Sequence, residues 1–377
     1  MCYNNIMLYF DNASTTQISK ASLEAYVQAS ECFFNPSSLY APATKSKSLI
    51  EEARDYILKY LKAKPKSTLI FTGSATESNN SVLNSCITRK DKKYIFSAGE
   101  HSAIYETAKK YKELGYNIVF VPINSNGSVN VEALMKELDE TVAFVSIIYV
   151  SNETGAINNI AEISQQIKEY NKSIIVHTDA VQAIGKIDIN LKELNVDYLT
   201  LSAHKINGPK GIGALYIAEP NKFKPFMHGG GQEMGLRAGT ENIPAICAFK
   251  QAMQDLKIKD YSKHKQAILD NLCGDYVLVS DNQCVDNIIS ICFKGVRGET
   301  IEHMLEAKGY LIGTGSACNS KAGHNRVLSH IVSREYIEGA IRLSFGDEIT
   351  IEDCIKVAKE LAQAVKEYRE RIKKWIK

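Results

Sequence analysis

Two lysines just behind a short apolar run are the first candidates for chemistry. They are Lys205, in Leu201-Ser202-Ala203-His204-Lys205, and Lys210, in Ile206-Asn207-Gly208-Pro209-Lys210-Gly211. A lysine confined in a turn after a strand loses hydration, its pKa falls, and the freed amine suits Schiff-base formation. Residue type and spacing divide that role between the two, and a surface lysine is the ordinary alternative for either. Upstream, Val176-His177-Thr178-Asp179-Ala180-Val181-Gln182 sets Asp179 just past another apolar run. A carboxylate buried there requires a cation, either a protonated pyridine nitrogen or the Lys or Arg of a salt bridge.

Two small-residue segments suit anions. Gly73-Ser74-Ala75-Thr76-Glu77-Ser78 lies between a strand run and an amphipathic stretch, so its amides would open at a helix N-terminus, where the dipole favours a phosphate. An ordinary cap by Ser74 or Thr76 is the competing reading. The segment is not a Walker loop, because the Gly-Lys-Ser/Thr it would need is absent. In the run from Gly229 to Asn242 the glycines permit tight turns, and Arg237 and Thr240 can meet anions. It lacks the GxGxxG order of a dinucleotide loop, and a surface turn is the plain alternative.

The chain has nine cysteines, at 2, 32, 86, 247, 273, 284, 292, 318 and 354. An odd, scattered set without a CxxC pair argues against zinc or a redox couple, so no metal site is expected, and most of these residues are expected to be buried small hydrophobes. Cys318 is different. It sits in Gly313-Thr314-Gly315-Ser316-Ala317-Cys318-Asn319-Ser320-Lys321-Ala322-Gly323-His324, a small, polar setting unsuited to a core cysteine and suited to an exposed loop.

These residues need a frame. Short β-rich runs at 69–72, 94–97, 118–121, 142–149, 174–178, 197–201 and 212–216 alternate with helical stretches. That pattern predicts a large, seven-stranded, mostly parallel α/β sheet whose ligands collect beyond the carboxyl ends of the strands. A helical linker at about 243–272 leads to strands at 276–279, 287–293 and 341–345 and helices at 299–308 and 351–375. The expected division is a large domain over 15–250 and a small α+β domain over 251–377, joined by a segment over 1–14.

The 377 residues are 45% hydrophobic, enough for substantial cores, and 45 Lys and Arg balance 43 Asp and Glu. That balance supplies no electrostatic reason for nucleic acid or an acidic membrane as direct partner. No run reaches the roughly 18 apolar residues of a membrane helix, and residues 1–10 do not read as a signal peptide, so a cytoplasmic location is expected. The basic final helix reads as a solvated amphipathic one.

Taken in order, a set of motifs resembles the NifS/IscS-type cysteine desulfurases of the fold-type I pyridoxal-phosphate family, the class-V aminotransferases, over nearly the whole chain. The motifs are Tyr9-Phe10-Asp11-Asn12-Ala13-Ser14-Thr15-Thr16, Asn35-Pro36-Ser37-Ser38, Ala75-Thr76-Glu77, Glu100-His101, Asn152-Glu153, His177 to Gln182, Ser202 to Lys205, Arg237 to Thr240, Gly315 to Cys318 and Arg342-Leu343-Ser344. The resemblance implies pyridoxal 5'-phosphate on Lys205 rather than Lys210, with His101 on the ring, Asp179 at its nitrogen, and Gln182 and Asn152 near the ring oxygen. It places the phosphate among Ala75, Thr76, Ser202, His204 and the Thr240 of a second subunit, and therefore implies a homodimer. Arg342, helped by Asn35 or Asn12, would clamp the substrate carboxylate.

The same resemblance implies conversion of L-cysteine to L-alanine, with Lys205 moving the Cα proton, His101 handling protons at the substrate end, and Cys318 receiving the sulfur as a persulfide. An acceptor protein would follow: an iron–sulfur scaffold, a tRNA-thiolation enzyme or a DNA-sulfur-modification enzyme. A selenocysteine lyase, or another fold-type I lyase or aminotransferase, is the alternative, and Cys318 argues against most of these. The family's Glu-Pro-Ser-like stretch after the cysteine is replaced here by Ala322-Gly323-His324-Asn325-Arg326, a departure that bears on the acceptor.

Overall fold

Apolar, β-branched runs that bury both faces of a strand recur between Thr68 and Ile217 and build one sheet. The computed structural model describes residues 7–314 and 325–375. Its strands are β1 (Leu8–Phe10), β2 (Thr68–Thr72), β3 (Lys93–Ser97), β4 (Asn117–Val121), β5 (Val142–Ser146), β6 (Ile175–Asp179), β7 (Tyr198–Ser202), β8 (Gly213–Ile217), β9 (Tyr276–Leu278), β10 (Ile288–Phe293), β11 (Tyr310–Thr314) and β12 (Ala340–Ser344). The large sheet has the order β2-β8-β7-β6-β5-β3-β4, and β8 alone runs against the rest. This is the expected seven-stranded, mostly parallel sheet.

The parallel strands release their chains at one edge, so the turns after β2, β3, β5, β6 and β7 converge there. Local chemistry stops each strand on time. After β2, Ser74 caps the helix Ala75–Cys86. The strand expected to reach 149 ends at Ser146, because Ile148 N is taken by the Glu100 carboxylate at 2.7 Å while Ile147 and Tyr149 still bond to β6 carbonyls.

The second sheet has the order β1-β11-β12-β10-β9 and packs the helix Ile351–Trp375 over its own core of Phe10, Ile289, Phe293, Leu343 and Phe345. Two of its strands, β1 and β11, were not expected. β1 is only three residues long, and β11 lies in a Gly-rich stretch whose strand character depends on pairing with β1 and β12. The expected helical linker is two helices, Ile243–Asp255 and Ser262–Leu269, because Leu256 leaves the helix in an extended conformation. From β1 the chain crosses to the other sheet, where Thr16 N donates to His204 O at 2.9 Å. No described helix is long and apolar enough to cross a membrane.

Candidate active site

At the N-terminus of the helix Ala75–Cys86, Ser74 Oγ accepts from Glu77 N at 3.2 Å and the Glu77 carboxylate accepts from Gly73 N at 2.8 Å. This reciprocal cap leaves the amides of Ala75 and Thr76 without a partner among the described residues. Arg237 neutralises Glu77 through two contacts, at 2.8 and 3.2 Å, so the carboxylate does not cancel the positive end of the helix. Ser202 and Thr72 both pair with Gly213 across the sheet. A Cβ on Gly213 would stand 2.7 Å from Ser74 C and 2.8 Å from Ala75 N, so only glycine lets this helix end approach Ser202.

Asp179 ends β6 and is 3% exposed. Asn79 Nδ2 donates to it at 2.8 Å and Val181 N at 3.0 Å, and no Lys or Arg pairs with it among the described residues. A buried carboxylate with two hydrogen bonds and no counter-charge is a seat for a cation. Nearby, burial and then the charge of Asp179 push Glu100 up to about 8, and its Oε2 has no partner. A carboxyl raised that far favours its protonated form near neutral pH. His101 caps the helix Ser102–Glu113, its Nδ1 accepting from Ala103 N at 3.2 Å. Burial lowers its pKa, the charges of Lys205 and Arg326 add to the effect, and Asp179 and Glu153 oppose it.

Lys205 closes the single 3-10 turn after β7 and is half-buried, whereas Lys210 lies exposed beyond Gly208. Lys205 Nζ donates to Ala13 O at 2.5 Å and Ser14 O at 2.6 Å. Gln182 Nε2 donates to the same Ala13 O at 2.8 Å. His204 Nδ1 is 3.1 Å from Thr15 Oγ1, and burial first, then the Lys205 charge, push its pKa down to about 4.

Arg342 projects from β12 and is 6% exposed. Its Nη2 meets Asp11 Oδ1 at 2.8 Å and Ser14 Oγ at 2.7 Å, and its Nη1 donates to Asn152 O at 2.8 Å. The Asn152 side chain goes to Glu153, whose other oxygen accepts from Asn325. Arg326 donates to the carbonyls of Ala98 and Glu100 and lies 3.8 Å over the Tyr105 ring, tying this segment to the turn that carries His101. Asn12 and Asn35 are not bonded to Arg342: Asn12 Nδ2 donates to Glu348 at 2.8 Å, and Asn35 Oδ1 accepts from Ser37 N at 2.9 Å. Thr240 is exposed. Cys318 lies outside the described residues.

One edge of the large sheet thus gathers free helix amides, an uncompensated carboxylate and a confined lysine, and the second sheet adds an arginine. These are the needs of a phosphate, a ring cation, an aldehyde carbon and a carboxylate respectively, so the donor set fits pyridoxal phosphate with an amino-acid substrate. Sequence reasoning did not single out Asn79 or Arg326. Asn79 follows Thr76 by one helical turn, a spacing that marks a shared face.

The aminotransferase class-V family model matches residues 8–357. The cysteine desulfurase IscS of Dictyoglomus turgidum is 38% identical over 365 residues, covering 92% of this chain and 91% of that protein. The cysteine desulfurase IscS of Clostridium botulinum strain Hall is 34% identical over 98% of this chain and 97% of its own. Among solved structures, a NifS-like protein superposes with a TM-score of 0.87 at 33% identity, covering 96% of this chain and all of the other.

Proposed function

We propose, from the premise that this chain belongs to the class-V aminotransferase family and is a pyridoxal-phosphate-dependent cysteine desulfurase, that it moves the sulfur of L-cysteine onto Cys318 and releases L-alanine. The observation that carries the site reading is the meeting of Asp179, the amides of Ala75 and Thr76, and Lys205 at the ends of β6, β2 and β7. In that reading Lys205 bonds the cofactor. Ala75, Thr76, Ser202, His204 and Thr240 of the partner subunit hold the phosphate. Asp179 holds the ring nitrogen, His101 lies on the ring, and Gln182 and Asn152 lie near its oxygen.

Bound there, the cofactor supplies an electron sink for the bond pair released at the substrate Cα. Arg342, already ordered by Asp11 and Ser14, receives the substrate carboxylate, with Asn12 or Asn35 closing on it when substrate is present. Lys205 Nζ takes the Cα proton. Neutral His101 moves a proton at the substrate sulfur. Cys318 Sγ, as thiolate, forms an S–S bond to that sulfur as the substrate Cβ–S bond breaks. The electron pair of the broken bond stays with the three-carbon fragment, which takes up protons and leaves as alanine. The balance is one cysteine and one thiol to one alanine and one persulfide.

We read the assembly as a homodimer, supported by exposed Thr240 and by Phe226, Met227 and Met234, which a single chain leaves open. The two cores support a large and a small domain, as expected over 15–250 and 251–377, although the larger core also takes in Ala252, Met253, Val285 and Ile288. Seven described cysteines are free thiols, which supports a cytoplasmic site of action. The sulfur acceptor is a protein of iron–sulfur assembly, tRNA thiolation or DNA sulfur modification, and co-purification with the tagged enzyme distinguishes these. The function is tested by alanine released against persulfide formed in a single turnover with L-cysteine. Equal amounts support it; alanine without persulfide, or a keto acid in its place, overturns it.

A further inference from the structure

Four residues beyond Gln182, the chain places a half-buried amine for which the reaction has no direct use. The segment after Asp179 coils, with Ile184 N donating to Ala180 O at 3.1 Å and Lys186 N to Ala183 O at 3.0 Å, so residues 182 and 186 share a side. Gly185 closes this coil at φ +76°, and a Cβ there would stand 2.7 Å from a Leu256 methyl. Lys186 lines a cleft of about 1120 Å³ together with Ala13 and Lys205.

Lys186 Nζ donates to Gln182 Oε1 at 3.0 Å, and Gln182 Nε2 donates to Ala13 O at 2.8 Å. An ammonium has only donors and a carbonyl only acceptors. Of the two orientations of the buried Gln182 amide, therefore, one satisfies both neighbours and the other sets NH2 against ammonium and oxygen against oxygen. Ala13 O also accepts from Lys205 Nζ at 2.5 Å, so the amide that Lys186 orients shares its acceptor with the cofactor-bonding lysine.

We infer that Lys186 is a positioning residue: it locks the Gln182 amide with its NH2 toward Ala13 and the cofactor's ring oxygen. The inference rests on the roles proposed above for Gln182 and Lys205. Burial, with the Lys205 charge second, pushes Lys186 down to about 7. Among the described residues, Lys205 is the charged group that bears on it. Below that value Lys186 is a donor-only ammonium and the lock is complete; above it the neutral amine can also accept, and the lock loosens.

The test is a pH titration of the yellow absorbance of purified holoenzyme. An NH2 donated to the ring oxygen favours the form that has lost a proton, so losing the lock raises the midpoint. Lys186→Met is expected to raise it by about one pH unit, the scale of one hydrogen bond to a charged oxygen. Lys186→Gln, whose amide leaves Gln182 free to turn either way, is expected to do the same, whereas Lys186→Arg keeps a donor-only cation and stays near wild type. In a Gln182→Leu background the Met substitution is expected to add nothing. Unchanged midpoints in both lock-breaking variants, or an undiminished shift in the Gln182→Leu background, overturns the inference. Borohydride reduction and peptide mapping separate the two levels: a label on Lys205 leaves the site reading standing, and a label on Lys210 or Lys186 overturns that reading and this inference with it.

Discussion

Asp11 Oδ1 and Arg342 Nη2 stand 2.8 Å apart, joining the segment after β1 to β12 across 331 residues. The ion pair, with Ser14 Oγ at 2.7 Å, fixes the guanidinium. Arg342→Lys keeps the charge and loses the fork. It is expected to lower kcat/KM for cysteine about 10- to 100-fold, mainly through KM, as loss of a charge-assisted hydrogen bond does. The absorbance of the loaded enzyme should stay as in wild type. A changed spectrum with unchanged KM would place Arg342 at the cofactor instead.

Asp179 lacks a cationic partner among the described residues, and the proposed site assigns its charge to the cofactor's ring nitrogen. Asp179→Asn is expected to cut turnover about a hundredfold or more, the scale of one preorganised electrostatic contact in a dry site. The melting temperature of the apoprotein should change little, and the rise on adding pyridoxal phosphate should shrink. An equal loss of stability with and without cofactor would make Asp179 structural.

Glu100 makes the opposite case. With its pKa at about 8 it is already protonated near neutral pH, so the neutral isostere Glu100→Gln removes no charge. Turnover at pH 7 within about threefold of wild type is expected, since the amide oxygen can still accept from Ile148 N and no charge is lost. Loss of cofactor in this variant would show that a second carboxylate charge is needed.

His177 is expected to make the stability of the fold depend on acid. Fully buried between Ser146 Oγ at 2.9 Å and Thr200 Oγ1 at 3.2 Å, it is pushed by burial from 6.5 down to about 3. Its folded pKa lies below the unfolded one, so between those values the unfolded chain binds the proton and the native ring does not. Stability therefore falls with falling pH, by about 1.4 kcal/mol per pH unit from this residue. In denaturant titrations the stability gap between wild type and His177→Gln should narrow from about pH 7 to about pH 5. A constant gap would show that the ring titrates normally.

Much of this was legible in the residues themselves. Buried β-branched runs and Ser74 before Ala75 announce the parallel sheet and the helix cap, and Asp179 and Lys205 stand out because each directly follows a strand. Lys205 and Lys210 were not separable by spacing: one is held against Ala13 and Ser14 and the other points to solvent, a difference that depends on a chain segment nearly 200 residues away. The pairing of Arg342 with Asp11 is hidden for the same reason. β11 and the break at 256–261 escaped because long-range pairing and packing decide them, not local propensity.

The remaining prediction concerns Cys318. Of the other cysteines, burial pushes Cys247 up to about 11 and Cys284, Cys292 and Cys354 up to about 12, which leaves them poor nucleophiles. Mass spectrometry of peptides from the enzyme after one turnover with L-cysteine tests the account most directly. The expected result is a single added sulfur, about 32 Da, on the Cys318 peptide, lost in Cys318→Ala while that variant still binds cofactor and cysteine. The adduct on any other cysteine, or wild-type turnover by Cys318→Ala, would contradict it.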